Sequence, residues 1–130
     1  MIDHVSIPVA ELAVSSRFYD QVLATLGLVR RKERPGAVGY GPADRPAPVF
    51  WLLERGEQGH ALPGTGLHLS FAAVDRAAVN AFHATALRVG ARDAGAPGER
   101  PEYTQPFYGA FVFDPDGFKI EAVCRAPAGG

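Results

Sequence analysis

Two histidines and one glutamate stand in segments that otherwise look like half-buried strands. His4 and His68 each open an apolar strand segment but belong to its polar face, and Glu121 lies within an apolar run. A carboxylate on such a surface is costly unless it is solvated, paired or coordinated. Two imidazoles and one carboxylate suit Zn, Fe(II), Mn, Co or Ni and leave positions open for a substrate. We therefore predict that His4, His68 and Glu121 bind one catalytic divalent metal ion.

The chain repeats one sequence plan at an offset of 64 residues. The matches at this offset are His4 with His68, Val5 with Leu69, Ser6 with Ser70, Ile7 with Phe71, Glu11 with Asp75, Phe18 with Phe82 and Leu23 with Leu87. Matches in register over this length indicate a duplicated half-domain. We expect one domain, residues 1–130, made of two modules at about residues 1–64 and 65–125. A pseudo-twofold axis between them would bring both histidines to one concave surface.

Each half is expected to fold as a β-α-β-β-β module, which makes the chain an α+β protein. His4–Val9 alternates apolar and polar residues, as does the matching segment around His68. Ser15 or Ser16 is expected to cap the first helix and Asp75 the second. Gly27 and Gly90 end these helices. The predicted apolar stripes are Phe18, Val22, Leu23 and Leu26, then Val79, Phe82, Ala86 and Leu87. The remaining strands are expected at about Val29–Glu33, Ala37–Tyr40, Val49–Leu53, Ala91–Ala94, Tyr108–Phe113 and Lys119–Val123.

The segment Asp114-Pro115-Asp116-Gly117 predicts a tight hairpin before Glu121. A two-residue loop would put Tyr108 on the same face as Glu121, whereas a bulged three-residue loop would put Phe111 opposite Glu121. The Pro-Asp-Gly order favours the bulge, so Phe111 is the better candidate to contact substrate. Tyr108 is kept as a second candidate.

With these features together, the sequence resembles the vicinal oxygen chelate superfamily over essentially the whole chain. The resemblance depends on the duplicated βαβββ plan, on a histidine in the first and fifth strands, and on the hairpin sequence that ends in Glu121. That superfamily includes glyoxalase I, type I extradiol dioxygenases, fosfomycin-resistance transferases and bleomycin-binding proteins. The resemblance implies a curved mixed sheet around a metal-binding cleft, with His4, His68 and Glu121 as ligands. It also implies a homodimer, in which modules are sometimes exchanged between chains.

One position departs from the glyoxalase I pattern. That enzyme draws a further glutamate ligand from the fourth strand, where this chain has Trp51. An indole is a donor only and does not bind a metal. The site implied here therefore has three ligands, and Trp51 is expected either to line the substrate pocket or to fill it.

Two functions remain open. The first is a metal-dependent enzyme, of dioxygenase, lyase or isomerase type, whose small substrate chelates the metal through two adjacent oxygens. The second is a metal-free protein that binds a drug or another ligand, as bleomycin-binding members do, by stacking on Trp51, Phe111, Tyr103 and Tyr108. The pair of histidines with Glu121 favours the enzyme.

Other polar and aromatic residues receive ordinary roles. Gly95–Pro106 is expected to form a loop over the cleft. His83 and His60 are expected to be solvated, and Cys124 to be a core residue. Tyr40 is a further candidate donor. The charged run Arg30–Arg34 is expected to lie in an exposed edge strand.

The overall composition excludes several classes of partner. Of the 130 residues, 47% are hydrophobic, and 13 basic residues stand against 14 acidic ones. This balance gives no basic surface for nucleic acid, and no segment reaches the roughly 18 apolar residues of a membrane span. A single cysteine and the lack of a leader-like N-terminus predict a cytoplasmic protein whose partner is a small molecule.

Overall fold

A computed structural model describes residues 1–55 and 66–128 of the chain. The elements in chain order are β1 (Val5–Val9), α1 (Leu12–Ala24), β2 (Leu28–Arg34), β3 (Ala37–Pro42), β4 (Phe50–Glu54), β5 (His68–Ala72), α2 (Arg76–Arg88), β6 (Arg92–Glu99), β7 (Tyr108–Phe113) and β8 (Lys119–Cys124). The predicted β-α-β-β-β plan therefore occurs twice. His60 lies outside the described residues, so its expected exposure stays a prediction. Within the described ranges, no helix has the length and apolar character needed to cross a membrane.

Each module forms its own four-stranded mixed sheet. The strand orders are β1-β4-β3-β2 and β5-β8-β7-β6. In each sheet the first and last strands of the module pair in parallel, and the other pairs are antiparallel. Ser6 lies opposite Trp51 in the first sheet, and Ser70 lies opposite Glu121 in the second. Trp51 and Glu121 therefore occupy equivalent positions.

The hairpin between β7 and β8 has the bulged form. Gly117 has a positive φ of 90° and donates its N–H to the carbonyl of Asp114 at 3.0 Å. Asp114 N–H in turn donates to the carbonyl of Phe118 at 2.8 Å. This loop sets Phe111 opposite Glu121, which confirms the predicted register.

The start of α1 differs from the prediction. The cap position is Glu11, and Ser15 and Ser16 are buried inside the helix. The backbone N–H of Leu12 donates to Glu54 Oε2 at 2.7 Å, so a carboxylate from β4 satisfies the helix end. The two serines therefore do not cap α1.

Helix α2 is capped as predicted, since the Asp75 side chain accepts from the backbone N–H of Ala78. Its buried face contains Val79, Phe82 and Ala86 as expected. It also contains His83, which is 8% exposed, while Leu87 is 39% exposed. The predictions that His83 is solvated and that Leu87 faces the core were therefore wrong. At about 100° per residue, positions 79, 82, 83 and 86 share one helix face and position 87 lies at its edge.

Strand β6 is longer than expected, because it continues through Glu99 into the segment predicted as a loop. The register of β6 against β7 shifts on either side of Gly95, and the strand stays paired with β7 beyond these shifts. The loop over the second sheet is therefore confined to residues 100–107. Strand β2, with its charged residues, is an edge strand as predicted. Cys124 is a buried free thiol.

The two modules share one buried apolar cluster, and α1 packs against α2. Polar contacts join the second hairpin to the first helix. Tyr19 Oη donates to Asp114 Oδ2 at 2.6 Å, and Ser15 Oγ donates to Asp116 Oδ2 at 2.9 Å. The burial of Ser15 is thus explained by a contact between modules.

Candidate functional site

His68 and Glu121 come together on the face of the second sheet opposite α2. His68 begins β5, and Glu121 lies in the neighbouring parallel strand opposite Ser70. Since side chains alternate along a strand, positions 68 and 70 share a face with Glu121. His68 Nε2 and Glu121 Oε1 are 3.3 Å apart. The imidazole is 42% exposed, whereas the carboxylate is only 3% exposed.

The carboxylate of Glu121 is buried with one oxygen unused. Its Oε2 atom has no hydrogen-bond partner among the described residues. Burial raises the pKa of Glu121 above its ordinary value, and the Ser70 hydroxyl, His68 and Arg125 only partly oppose this. A buried carboxylate of this kind takes up a proton or a cation. Two donors 3.3 Å apart also suit one divalent ion, whose bonds to imidazole and carboxylate are about 2.0–2.2 Å. The pair therefore fits a metal ion.

A cavity of about 460 Å³ opens beside this pair. Phe111, Phe107 and Tyr103 form its aromatic wall. The Phe111 ring lies 6.0 Å from the His68 ring, and Tyr103 meets Phe107 at 4.9 Å. Phe111 and Tyr103 therefore line this cavity, and their contact with a small molecule stays a prediction.

Gly109 leaves the space in which the unused oxygen lies. A Cβ built at Gly109 would lie 3.1 Å from Glu121 Oε2 and 2.9 Å from the Phe107 ring. Gly109→Ala is expected to lower the free energy of unfolding by about 1–3 kcal/mol, as overpacking does. Urea unfolding with chelator present measures this cost.

Gly98 provides a matched control, because it pairs with Gly109 in the β6–β7 ladder. A Cβ at Gly98 would meet only the end of the Arg100 side chain within 3.5 Å. Gly98→Ala is expected to cost less than Gly109→Ala. Equal costs would show that the space beside Glu121 Oε2 is not specifically tight.

His4 does not contact the pair. It precedes β1, and its Nδ1 donates to Asp3 Oδ2 at 2.8 Å. Its side chain is 52% exposed. His4 and His68 line one larger cavity of about 770 Å³. The described parts of the chain contain no cluster of three or more histidine, cysteine, aspartate or glutamate side chains arranged for a metal. The three-ligand site therefore stays a prediction.

Trp51 is covered rather than open. Its residue exposure is 9%, and the Arg34 guanidinium lies 4.6 Å above its ring. A Cβ at Gly39 would meet both Pro48 and the Trp51 ring within 3.0 Å. Trp51 lines neither of the two cavities. Its side chain is instead packed within the first module, at the position equivalent to Glu121.

Two tyrosines lie away from the cavity. Tyr108 Oη donates to Asn80 of α2 at 2.7 Å, because the bulged hairpin turns this strand position toward the helix. The proposed substrate contact by Tyr108 does not fit this placement. Tyr40 is fully buried in the first module, and its Oη donates to Asp20 Oδ1 at 2.8 Å.

Other cavity residues were not singled out from the sequence. Lys119 and Arg125 line the cavity, and strand alternation puts both on the face of Glu121. The alternation of side chains along β8, counted from Glu121, could have identified both residues from the sequence. Phe107 follows a loop, where no periodicity predicts direction.

Comparison with known proteins agrees with this architecture. The family model described as the glyoxalase/bleomycin resistance protein/dioxygenase superfamily matches residues 1–122. A glyoxalase/bleomycin resistance protein from Albidiferax ferrireducens T118 is 34% identical, with TM-score 0.83, covering 95% of this chain and 98% of that one. A glyoxalase/bleomycin resistance protein/dioxygenase family enzyme from Burkholderia phytofirmans PsJN is 20% identical, with TM-score 0.71 and coverage of 96% and 98%. A glyoxalase-related enzyme from Fulvimarina pelagi is 18% identical, with TM-score 0.68 and coverage of 95% and 87%.

The last two likenesses, at low identity, bear on the fold alone. None of the curated proteins compared matches the chain. The family match spans nearly all of the sequence and agrees with the duplicated module observed in the structure. This chain belongs to the glyoxalase/bleomycin resistance protein/dioxygenase superfamily.

Proposed function

We propose that the protein is a divalent-metal-dependent enzyme that acts on a small oxygen-chelating substrate beside His68 and Glu121. The observation that carries the proposal is the buried carboxylate of Glu121, which has one unpaired oxygen and an imidazole 3.3 Å from the other. Such a group is costly to bury without a cation or proton. Dioxygenase, lyase and isomerase chemistry are all compatible with this donor set.

The chain's own residues supply the binding environment. A divalent ion held there, whether Zn, Fe(II), Mn, Ni or Co, supplies Lewis acidity toward a substrate oxygen. His68 Nε2 and Glu121 Oε1 would hold it, and Phe107 and Phe111 line the cavity beside the buried carboxylate. Glu121 Oε2, which has no hydrogen-bond partner among the described residues, is the oxygen open to a proton when the cation is absent.

His4 is the proposed third ligand. It lines a cavity shared with His68, and its imidazole is half exposed. The exposed apolar side chains Met1, Ile2 and Leu67 flank the two histidines. An exposed apolar surface of this kind favours association, so we propose a homodimer in which His4 completes a site within one chain or across the two. The free buried thiol of Cys124 suits a cytoplasmic location.

A metal-free binding protein is the alternative. It is favoured by the aromatic wall of Tyr103, Phe107 and Phe111. It is also favoured because the described residues contain no cluster of three or more histidine, cysteine, aspartate or glutamate side chains that could hold a metal. In that case Glu121 hydrogen-bonds a ligand directly.

Metal binding by untagged protein tests the proposal. After dialysis against a chelator, the wild type is expected to bind about one equivalent per chain of at least one of the five ions, as one three-ligand site predicts. His68→Ala is expected to lose this binding, because it removes the imidazole nitrogen that lies 3.3 Å from Glu121 Oε1. Calorimetric titration, with elemental analysis of the dialysed complex, measures both.

The same titration on His4→Ala tests the third ligand. A weaker but measurable affinity supports His4 as a ligand, and an unchanged affinity removes it. Binding below about a tenth of an equivalent for every ion, far under the single site expected, would rule out the enzyme and leave the metal-free alternative.

A further inference from the structure

Lys119 lies beside the His68–Glu121 pair on the same sheet face. It stands opposite His68 in the parallel β5–β8 ladder, and it precedes Glu121 by two positions on β8. Its Nζ atom lies 4.8 Å from the centre of the Phe111 ring. Because Phe111 is the aromatic wall nearest His68, the ammonium group is held at the cavity that adjoins the candidate site.

The neighbouring cations are already engaged. The Arg125 guanidinium donates to the carbonyls of Thr104 and Pro106 and lies over the Phe107 ring at 4.8 Å. Arg100 donates to the carbonyl of Ala96 at 2.7 Å. Lys119, by contrast, forms no ion pair with any residue in the ranges 1–55 and 66–128.

The charges around the cavity leave Lys119 available to an anion. Of the two carboxylates that line the cavity, Glu102 is exposed on the loop, and Glu121 is buried against His68. Lys119 is partly buried, and an ammonium group without a carboxylate partner binds an anionic group through charge-assisted hydrogen bonds.

We propose that Lys119 is a specificity-determining residue that binds the carboxylate of an aromatic substrate, whose ring packs on Phe111 and Phe107. The proposal rests on the proposed function, because the reacting part of that substrate would lie at His68 and Glu121. One available ammonium suits a monoanionic carboxylate better than a phosphate dianion. The cavity of about 460 Å³ has room for a one-ring molecule.

Salicylate and salicylamide provide a matched pair of probes, since they have nearly the same shape and differ in charge at neutral pH. Wild-type protein is expected to bind salicylate about tenfold or more tightly than salicylamide, as one charge-assisted hydrogen bond implies. Lys119→Met, which keeps the apolar stem over Phe111, is expected to lose this preference. Lys119→Arg is expected to retain most of it. Calorimetry on both metal-loaded and chelator-treated protein measures the affinities.

Arg34→Met is the matched control, because it removes the same kind of cation–aromatic contact from Trp51 in the first module. It is expected to leave the salicylate preference intact. The proposal is overturned if Lys119→Met keeps the preference, if phenyl phosphate binds the wild type more tightly than salicylate, or if no saturable salicylate binding appears up to about 10 mM. Failure of metal binding alone leaves this preference measurable on chelator-treated protein, so the two proposals fail separately.

Discussion

Glu121→Gln is expected to lower the affinity for a divalent metal ion by about 100-fold or more, since changes to mere outer-shell partners already cost roughly 10–100-fold. Glutamine keeps the size of the side chain but removes the negative charge that a cation requires. The carboxylate is 3% exposed, so bulk water would not replace it easily as a ligand. Competition titration against a metal-binding dye measures the change.

The pH dependence of metal binding gives a second readout of the same variant. Burial raises the pKa of Glu121 above its ordinary value, so protons compete with the metal at a higher pH than for an exposed glutamate. Wild-type affinity is therefore expected to fall as the pH drops through this raised pKa. Glu121→Gln loses that part of the dependence, because glutamine does not titrate.

Glu102→Gln is the matched control, since Glu102 lines the same cavity but is exposed on the loop. It is expected to bind metal as the wild type does.

The thermal stability of Glu121→Gln shows whether a loss of metal binding comes from misfolding. A raised folded pKa means that the stability contributed by protonated Glu121 is lost as the pH rises through it. Chelator-treated Glu121→Gln, which has no charge to bury, is therefore expected to have at least the wild-type Tm at neutral pH. Wild-type metal affinity in Glu121→Gln would contradict the assignment.

Asp114→Ala is expected to lower the free energy of unfolding by about 3–5 kcal/mol at pH 5, because it leaves several buried donors without an acceptor. Asp114 is 5% exposed and accepts from Tyr19 Oη at 2.6 Å, from Phe118 N–H at 2.8 Å and from Asp116 N–H at 2.9 Å. These bonds hold the hairpin before β8 against α1. Urea unfolding followed by circular dichroism measures the loss.

The cost is expected to depend on pH. Burial raises the pKa of Asp114 to about 6. The stability that this raised pKa contributes is present below the unfolded pKa of about 4 and is lost as the pH rises through about 6. Wild-type stability therefore falls across this interval, and the difference between wild type and Asp114→Ala shrinks.

Tyr19→Phe is the graded control for the hairpin contact. It removes one donor and leaves Asp114 with its two backbone partners, so about 1–2 kcal/mol is expected to be lost. A cost for Asp114→Ala no greater than that for Tyr19→Phe would show that the backbone bonds of the hairpin form without the carboxylate.

Local patterns in the sequence determined the modules and the register around Glu121. Period-two alternation and the repeat at an offset of 64 residues predicted two β-α-β-β-β units, both of which the structure contains. The Pro-Asp-Gly order predicted the bulged turn and hence Phe111 opposite Glu121. These features depend on neighbours along the chain or across one hairpin, where backbone geometry leaves few alternatives.

Tertiary packing decided the contacts and the burial of several individual side chains. Ser15 serves a contact to Asp116 rather than a helix cap, His83 is buried beside Asp93, and Trp51 is enclosed by Arg34. In each case the partner comes from a different strand or from the other module. Periodicity reports which face a residue occupies but not which residue lies across from it.

The candidate site likewise depends partly on local sequence patterns and partly on tertiary packing. Sequence alone identified His68 and Glu121 as polar residues within otherwise apolar strands. The parallel pairing of β5 with β8 brings His68 Nε2 to within 3.3 Å of Glu121 Oε1. His4 has the equivalent position in the first module, yet Trp51 replaces a carboxylate in the strand beside it. How close His4 lies to the other two depends on how the modules pack, which α1, α2 and the Asp114 hairpin decide through long-range contacts. The residue types are therefore a property of the sequence, and their assembly into a site is a property of the tertiary structure.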